Sequence, residues 1–423
     1  MTRAKINLIA WSMYDWASSS FPVVVSTFIF ATYFTSTVAE NEIIGTYHWA
    51  NAAALAGIIV GILSPIFGSI ADYSGRNKVW LGVFSIICIV ASALLWFALP
   101  NPSYMFYTLA CVVVGTVALE IAAVFYNSYL PFLAPPDYIG RISGWAWGVG
   151  YIGGIVLLAT VLFGFINSPP SWLDTKSYEQ IRICGPFVAA WFFLFSLPLF
   201  LIVPDVPAKK NSMKESIVLG LLELKSTLAS LPSQKNLAIY LLSHLVYIDG
   251  LNTLFAFGGV YAAGTFGMGM SEIILLGISM NIAAGIGAIS LAWIDDYLGS
   301  KPTILISILG MIIFGAVIGY TDDKTIFWIA GLLVTLFVGP VQAASRSLLV
   351  RLTPKGKTTE MFGIYAFSGR IASFLGPWAL GWAVLYFETQ RAGVAAIMAF
   401  FVVGGAMMFF VKEPPHPREQ KVV

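Results

Sequence analysis

A chain of 423 residues with 58% hydrophobic and only 10% charged side chains, at a mean hydropathy of +0.83, is built for lipid rather than water. Its net charge of +2, with no basic run interleaved with aromatics, excludes a nucleic-acid binder. Cys88, Cys111 and Cys184 lie in or beside apolar segments without metal-ligand spacing and read as small packing residues.

The first apolar stretch, from about Ile6 to Val38, is too long for a signal-peptide core and contains Asp15, so it reads as a retained span. A bilayer core of about 30 Å takes roughly twenty helical residues. Segments of that kind fall near 6–37, 47–71, 79–99, 104–133, 140–167 and 182–203, then near 235–265, 271–294, 302–321, 325–350, 360–388 and 392–411. The pattern predicts an all-α integral membrane protein of twelve spans in two six-helix bundles, residues 1–203 and 235–412. Residues 204–234 form the linker and 413–423 a tail. In the linker, Lys209, Lys210, Lys214 and Lys225 with Ile217, Leu221, Leu224 and Leu228 predict an amphipathic helix on the membrane surface.

Of the 23 basic residues, Lys176, Arg182, Lys324 and Arg391 fall on one side, Arg370 lies within a span, and the rest fall on the other side. That asymmetry predicts cytoplasmic termini and a cytoplasmic linker.

One short polar pattern occurs twice. Gly68-Ser-Ile-Ala-Asp72-Tyr-Ser-Gly75-Arg76-Asn-Lys78 joins the second and third spans. A weaker echo, Asp296-Tyr-Leu-Gly299-Ser300-Lys301-Pro302, joins the eighth and ninth. Asp296 minus Asp72 is 224, while Arg346 minus Asn127 and Gly363 minus Gly144 are both 219, as an internal duplication requires. Gly75 suits a tight turn, and Arg76 and Lys78 suit helix-end carbonyls or anionic lipid. The second copy has Ser300 for the arginine and Pro302 for the terminal lysine, so a weaker latch is expected there.

Ionisable residues within spans each cost about 2.5–3.5 kcal/mol on insertion scales and need a partner or a wet cavity. Asp15, Glu120, Asp249 and Arg370 sit at mid-depth in spans one, four, seven and eleven, with Arg346 nearer one end of the tenth. They are expected to line one polar cavity, the carboxylates as proton carriers and the guanidiniums as carboxylate clamps. Structural Asp–Arg pairing is the competing reading for each. His244 reads as a packing histidine. No Ser-His-Asp set, phosphate loop or metal cluster appears, so neither enzyme activity nor a cofactor is expected. An ion gradient would supply the energy.

The first polar pattern matches the Gly-x-x-x-Asp-x-x-Gly-Arg-x-Lys signature, and the chain resembles the major facilitator superfamily. In such a fold Asp72 would face the start of the eleventh helix, near Thr359 to Gly363. More narrowly, Tyr14-Asp15-Trp16-Ala17, Tyr126-Asn127-Ser128, Tyr247-Ile-Asp249-Gly250-Leu-Asn252-Thr253, Ser345-Arg346-Ser347 and Phe362-Gly363-Ile-Tyr365 are similar to motifs of the vacuole-effluxer-like family. Ser18 and Ile248 stand where that family carries asparagines. The resemblance implies alternating access and amino-acid export, with Tyr14, Asp15, Asn127, Asp249, Asn252 and Arg346 at motif positions. The expected partners are a small-molecule substrate and the bilayer, a bacterial inner membrane, with the protein a monomer. Efflux of amphipathic compounds, and a transporter-like receptor without turnover, are the alternatives.

Overall fold

The computed structural model describes residues 2–205 and 211–414. Lys209, Lys210 and most of the expected tail lie outside the described residues. Those described fold as helices with no strand.

Among the described residues, eleven helices are long and apolar enough to cross a membrane: Arg3–Val38, Glu42–Ser74, Asn77–Phe97, Pro102–Leu133, Pro136–Ile166, Glu179–Ile202, Lys235–Phe266, Leu275–Leu298, Ser300–Tyr320, Lys324–Leu352 and Gln390–Phe409. These are spans one to ten and twelve. The eleventh, expected as one helix over 360–388, is instead two pieces, Thr358–Ile371 and Leu375–Phe387. Pro377 explains the break: it has no N–H to bond the carbonyl one turn earlier, and its ring crowds that carbonyl. The chain passes the gap through tight bonds, Ser373 N–H to the Arg370 carbonyl at 3.2 Å and Leu375 N–H to the Ala372 carbonyl at 2.8 Å.

Two apolar cores form. One is drawn from residues between Ala10 and Val203, the other from residues between Leu224 and Val411 together with Val124 of the fourth span. The two groups of spans meet along a seam where the second span packs on the eleventh and the fifth on the eighth and tenth. Small residues permit the approach: a Cβ on Gly68 would lie 2.5 Å from the Thr359 carbonyl oxygen.

The linker helix, Met213–Ser230, docks on the second span. Ser69 Oγ donates to the Gly220 carbonyl at 2.7 Å, and Ser216, Leu224 and Thr227 are buried on that face. The expected stripe therefore needs one correction, since Leu224 turns inward while Ile217, Leu221 and Leu228 stay exposed. Gly220 on the docking face lets the helix sit close to its neighbour, since a Cβ there would lie 2.9 Å from Ile70 Cα.

Candidate functional site

At the Asp72 end, the second span closes with Gly75 in the left-handed region at φ 60°, where a side chain would be strained. Asp72 Oδ1 accepts the Thr359 N–H at 3.0 Å and Oδ2 accepts the Glu360 N–H at 2.8 Å. The carboxylate thus caps the first piece of the eleventh span across the seam, where expected. Asn77 adds a second crossing, its amide donating to Ser128 Oγ and Thr359 Oγ1, both at 3.0 Å. Lys78 Nζ donates to the Val203 carbonyl at 2.6 Å, while Arg76 is exposed.

The second copy, expected to latch more weakly, draws its basic partner from outside its own turn. Asp296 is fully buried; its Oδ1 accepts the Arg141 N–H at 3.1 Å and its Oδ2 lies 3.0 Å from Arg141 Nε. The basic group missing from its own turn comes from the start of the fifth span. Arg141 in turn stacks 3.5 Å above the Trp293 ring. Gly299 turns the chain at φ 98°, and Glu413 accepts the N–H groups of Ser300 and Lys301, both at 2.8 Å.

Beyond these closures lies a cavity of about 820 Å³. Its wall includes Tyr14, Asp15, Glu120, Asn127, Asn252, Arg346 and Arg370, and it runs on to Tyr261, Phe327 and Val394 at the helix ends opposite Asp72. The cavity therefore runs from the mid-depth charges toward the helix ends opposite the closed one. A side chamber of about 210 Å³, walled by Trp49, Ala52, Ala53 and Ala56, shares Glu120 and Arg370 with it.

Two ion pairs cross the seam in this wall. Asp15 Oδ2 accepts the Tyr126 hydroxyl at 2.7 Å and lies 3.8 Å from Arg346 Nη1. Arg346 is almost wholly buried and held elsewhere as well: Nε donates to Ser143 Oγ at 2.9 Å, Nη2 to the Ser143 carbonyl at 2.7 Å, and Nη1 to Asn127 Oδ1 at 2.9 Å. Trp11 and Trp147 flank the guanidinium at 5.4 and 5.9 Å. The second pair, Glu120 with Arg370, is about one-third exposed on each side chain. Tyr14 stacks on Tyr126 at 4.9 Å and bonds Ser85 Oγ at 2.7 Å, fixing the ring behind Asp15.

Asp249 departs from the expected arrangement. It does not line the cavity. It is 1% exposed, and its Oδ2 accepts the Gly376 N–H at 2.7 Å, capping the second piece of the eleventh span. Its position on the seventh helix turns it toward the break rather than the opening. Tyr126, Ser143 and Trp147, which were not among the expected substrate or proton residues, surround Asp15 and Arg346. The adjacency of Tyr126 to Asn127, and of Ser143 to Gly144, was the available signal.

This fold, with paired polar turns closing one end of a charged cavity, is that of a major-facilitator-type transporter. It overlays FucP, a major facilitator transporter solved in the outward conformation, with TM-score 0.76, 12% identity and coverage of 98% of this chain and all of that one. It overlays the proton:xylose symporter XylE with TM-score 0.74, 14% identity and 97% and 95% coverage. Residues 50–421 match the family described as vacuole effluxer Atg22 like, and the chain belongs to that family.

Among relatives, YxiO of Bacillus subtilis (strain 168), described as an MFS-type transporter, is 28% identical over 419 residues, covering 96% of this chain and 94% of that one. Autophagy-related protein 22 of Saccharomyces cerevisiae (strain ATCC 204508 / S288c) is 20% identical over 377 residues, with 77% and 69% coverage. Its counterpart in Cryptococcus neoformans var. neoformans serotype D (strain B-3501A) is 25% identical over 286 residues, and the match spans about half of that relative, 51%.

Proposed function

We propose that this protein exports amino acids from the cytoplasm across a bacterial inner membrane by alternating access, driven by protons. The observation that carries the reading is the pair of acid–guanidinium contacts across the seam, with both acids from one group of spans and both guanidiniums from the other. A zwitterion offers each partner of the partly exposed Glu120–Arg370 pair a replacement, its carboxylate for Arg370 and its ammonium for Glu120. Exchange of that kind costs less than separating two charges in a low-dielectric wall.

Asp15 suits the proton. It is reached from the cavity, and its 3.8 Å contact with Arg346 is longer than a hydrogen bond. Two charges at about 4 Å attract by roughly 4 kcal/mol at an effective dielectric near 20, before desolvation. Neutralising Asp15 removes that attraction across the seam, while Ser143 and Asn127 keep Arg346 in place. The excess of basic residues at the Asp72 end supports a cytoplasmic closed face and cytoplasmic termini. Vacuole efflux, in the description of the matched family, supports export.

Purified protein in proteoliposomes, given a pH gradient and a mixture of labelled amino acids, should move one or more of them against their gradient. Asp15→Asn should abolish gradient-driven flux and keep amino-acid exchange. Undiminished uphill flux by that variant would remove Asp15 from coupling. The apolar side chamber favours one rival, an amphipathic cargo. Thermal stabilisation by hydrophobic cations and by no amino acid would select it.

A further inference from the structure

His244 of the seventh span lines the cavity and is 2% exposed. Its Nδ1 lies 3.1 Å from Ser368 Oγ, and that hydroxyl donates its one proton to the Tyr365 carbonyl at 2.8 Å. With its proton on that carbonyl, Ser368 accepts from the imidazole, and Nδ1 is then the nitrogen that carries the hydrogen. Neutral imidazole with hydrogen on Nδ1 leaves Nε2 as a bare acceptor. That atom is buried, and no described residue donates to it. The Tyr365 ring stacks at 3.9 Å and the Tyr247 ring stands edge-on at 5.5 Å, holding the imidazole beside the cavity. A buried acceptor without a donor carries a standing desolvation penalty, which a cargo donor relieves.

We infer that His244 is a specificity-determining residue whose Nε2 accepts an N–H of the cargo at the cavity wall. The inference rests on the amino-acid reading above and deepens it. A neutral acceptor takes an ammonium N–H without breaking the Glu120–Arg370 pair, so the cargo is read before that pair opens. Acids that lack the amino group leave Nε2 empty and are rejected, as a site built to bond a group rejects the analogue without it.

The test uses full-length protein in proteoliposomes and whichever of the twenty common amino acids the wild type carries fastest. The competitor is the carboxylic acid of the same skeleton without its amino group. Wild type should prefer the amino acid, and His244→Phe should shrink the KM ratio by about tenfold. His244→Gln, whose amide oxygen can reach the Nε2 position, should restore part of it. Both variants are checked for a wild-type melting temperature and monodispersity, because a merely structural role would lower flux without changing the ratio. An unchanged ratio in a folded His244→Phe protein overturns the inference alone. Absence of flux of any amino acid by the wild type overturns it together with the proposed function.

Discussion

Asp249 and Gly376 are joined by a 2.7 Å hydrogen bond from backbone amide to carboxylate across the seventh and eleventh spans, at the point where the eleventh is broken. The carboxylate sits at the amino terminus of Leu375–Phe387, where the helix dipole and an unpaired N–H both favour negative charge. Asp249→Ala should lower thermal stability by about 1–2 kcal/mol, the range for a lost cap in a partly buried setting. Asp249→Asn keeps an acceptor and should lose less. Gly376→Ala should be as damaging as Asp249→Ala, because its Cβ would meet Thr253 Oγ1. Melting curves of the three variants in one detergent give the order. Asparagine at 249 proving as costly as alanine would remove the capping account.

At the closed end, Asp72 and Asp296 each accept a backbone N–H at the start of a helix across the seam, and Asp296 also pairs with the Arg141 side chain. A carboxylate at a helix start contributes about 1 kcal/mol, or roughly fivefold in an equilibrium. Asp72→Asn should raise the population open at this end by about that factor, and Arg141→Gln should do the same. Because the eleventh and fifth helices are capped separately, the double variant should multiply the two effects. Spin-label distances between the second and eleventh spans at the Asp72 end measure the populations. Distances unchanged by either substitution would mean that packing alone holds the closure.

The Asp72 closure was legible because a carboxylate, a turn glycine and basic residues stand together in seven positions. The grouping of Asp15 with Asn127 and Arg346 was legible only through motifs far apart in sequence. Depth along a helix follows from residue counting, which put Asp15, Glu120 and Arg370 at one level, and all three line the cavity. Rotation about the helix axis does not follow from counting, so Asp249, at similar depth, faces the break instead of the cavity. The same ignorance of neighbours made the second turn look weak, since its basic partner, Arg141, is 155 residues distant. Gly376-Pro377 lies just past the break, but a proline alone does not distinguish a kink from a gap, so residues 360–388 read as one helix.

The linker helix begins with a capping box: Ser212 Oγ accepts the Glu215 N–H at 3.2 Å, and Glu215 accepts the Ser212 N–H at 2.8 Å. The Ser212 backbone N–H, then its hydroxyl, pull the Glu215 carboxyl below its ordinary value of 4.5. A carboxyl depressed on folding stabilises above its unfolded value and loses that contribution as pH falls through the folded one. The first turn should therefore fray below about pH 4.5 and be firm at pH 7. A nitroxide at exposed Leu219 should become more mobile on acidification, and Glu215→Gln should show the smaller pH response. An equal response in both proteins would place the titrating group elsewhere.

Glu223 on the same helix touches both sides of the seam. It accepts the Tyr73 hydroxyl at 3.1 Å from the second span and pairs with Lys357, which precedes the eleventh and also donates to Thr227 Oγ1 at 3.1 Å. Opening of the Asp72 end would separate Tyr73 from Lys357, so one of these contacts must break in each cycle. The Glu223–Lys357 pair is about 30% exposed on both side chains, which limits its worth to the range of surface pairs, up to about 1 kcal/mol. Glu223→Gln should keep the Tyr73 bond, lose the ion pair, and raise the population open at this end by no more than about fivefold. Raising the salt concentration should produce part of the same shift in the wild type and none in the variant. A salt response of equal size in both would assign the effect to other charges, leaving the linker helix as a passenger on the second span.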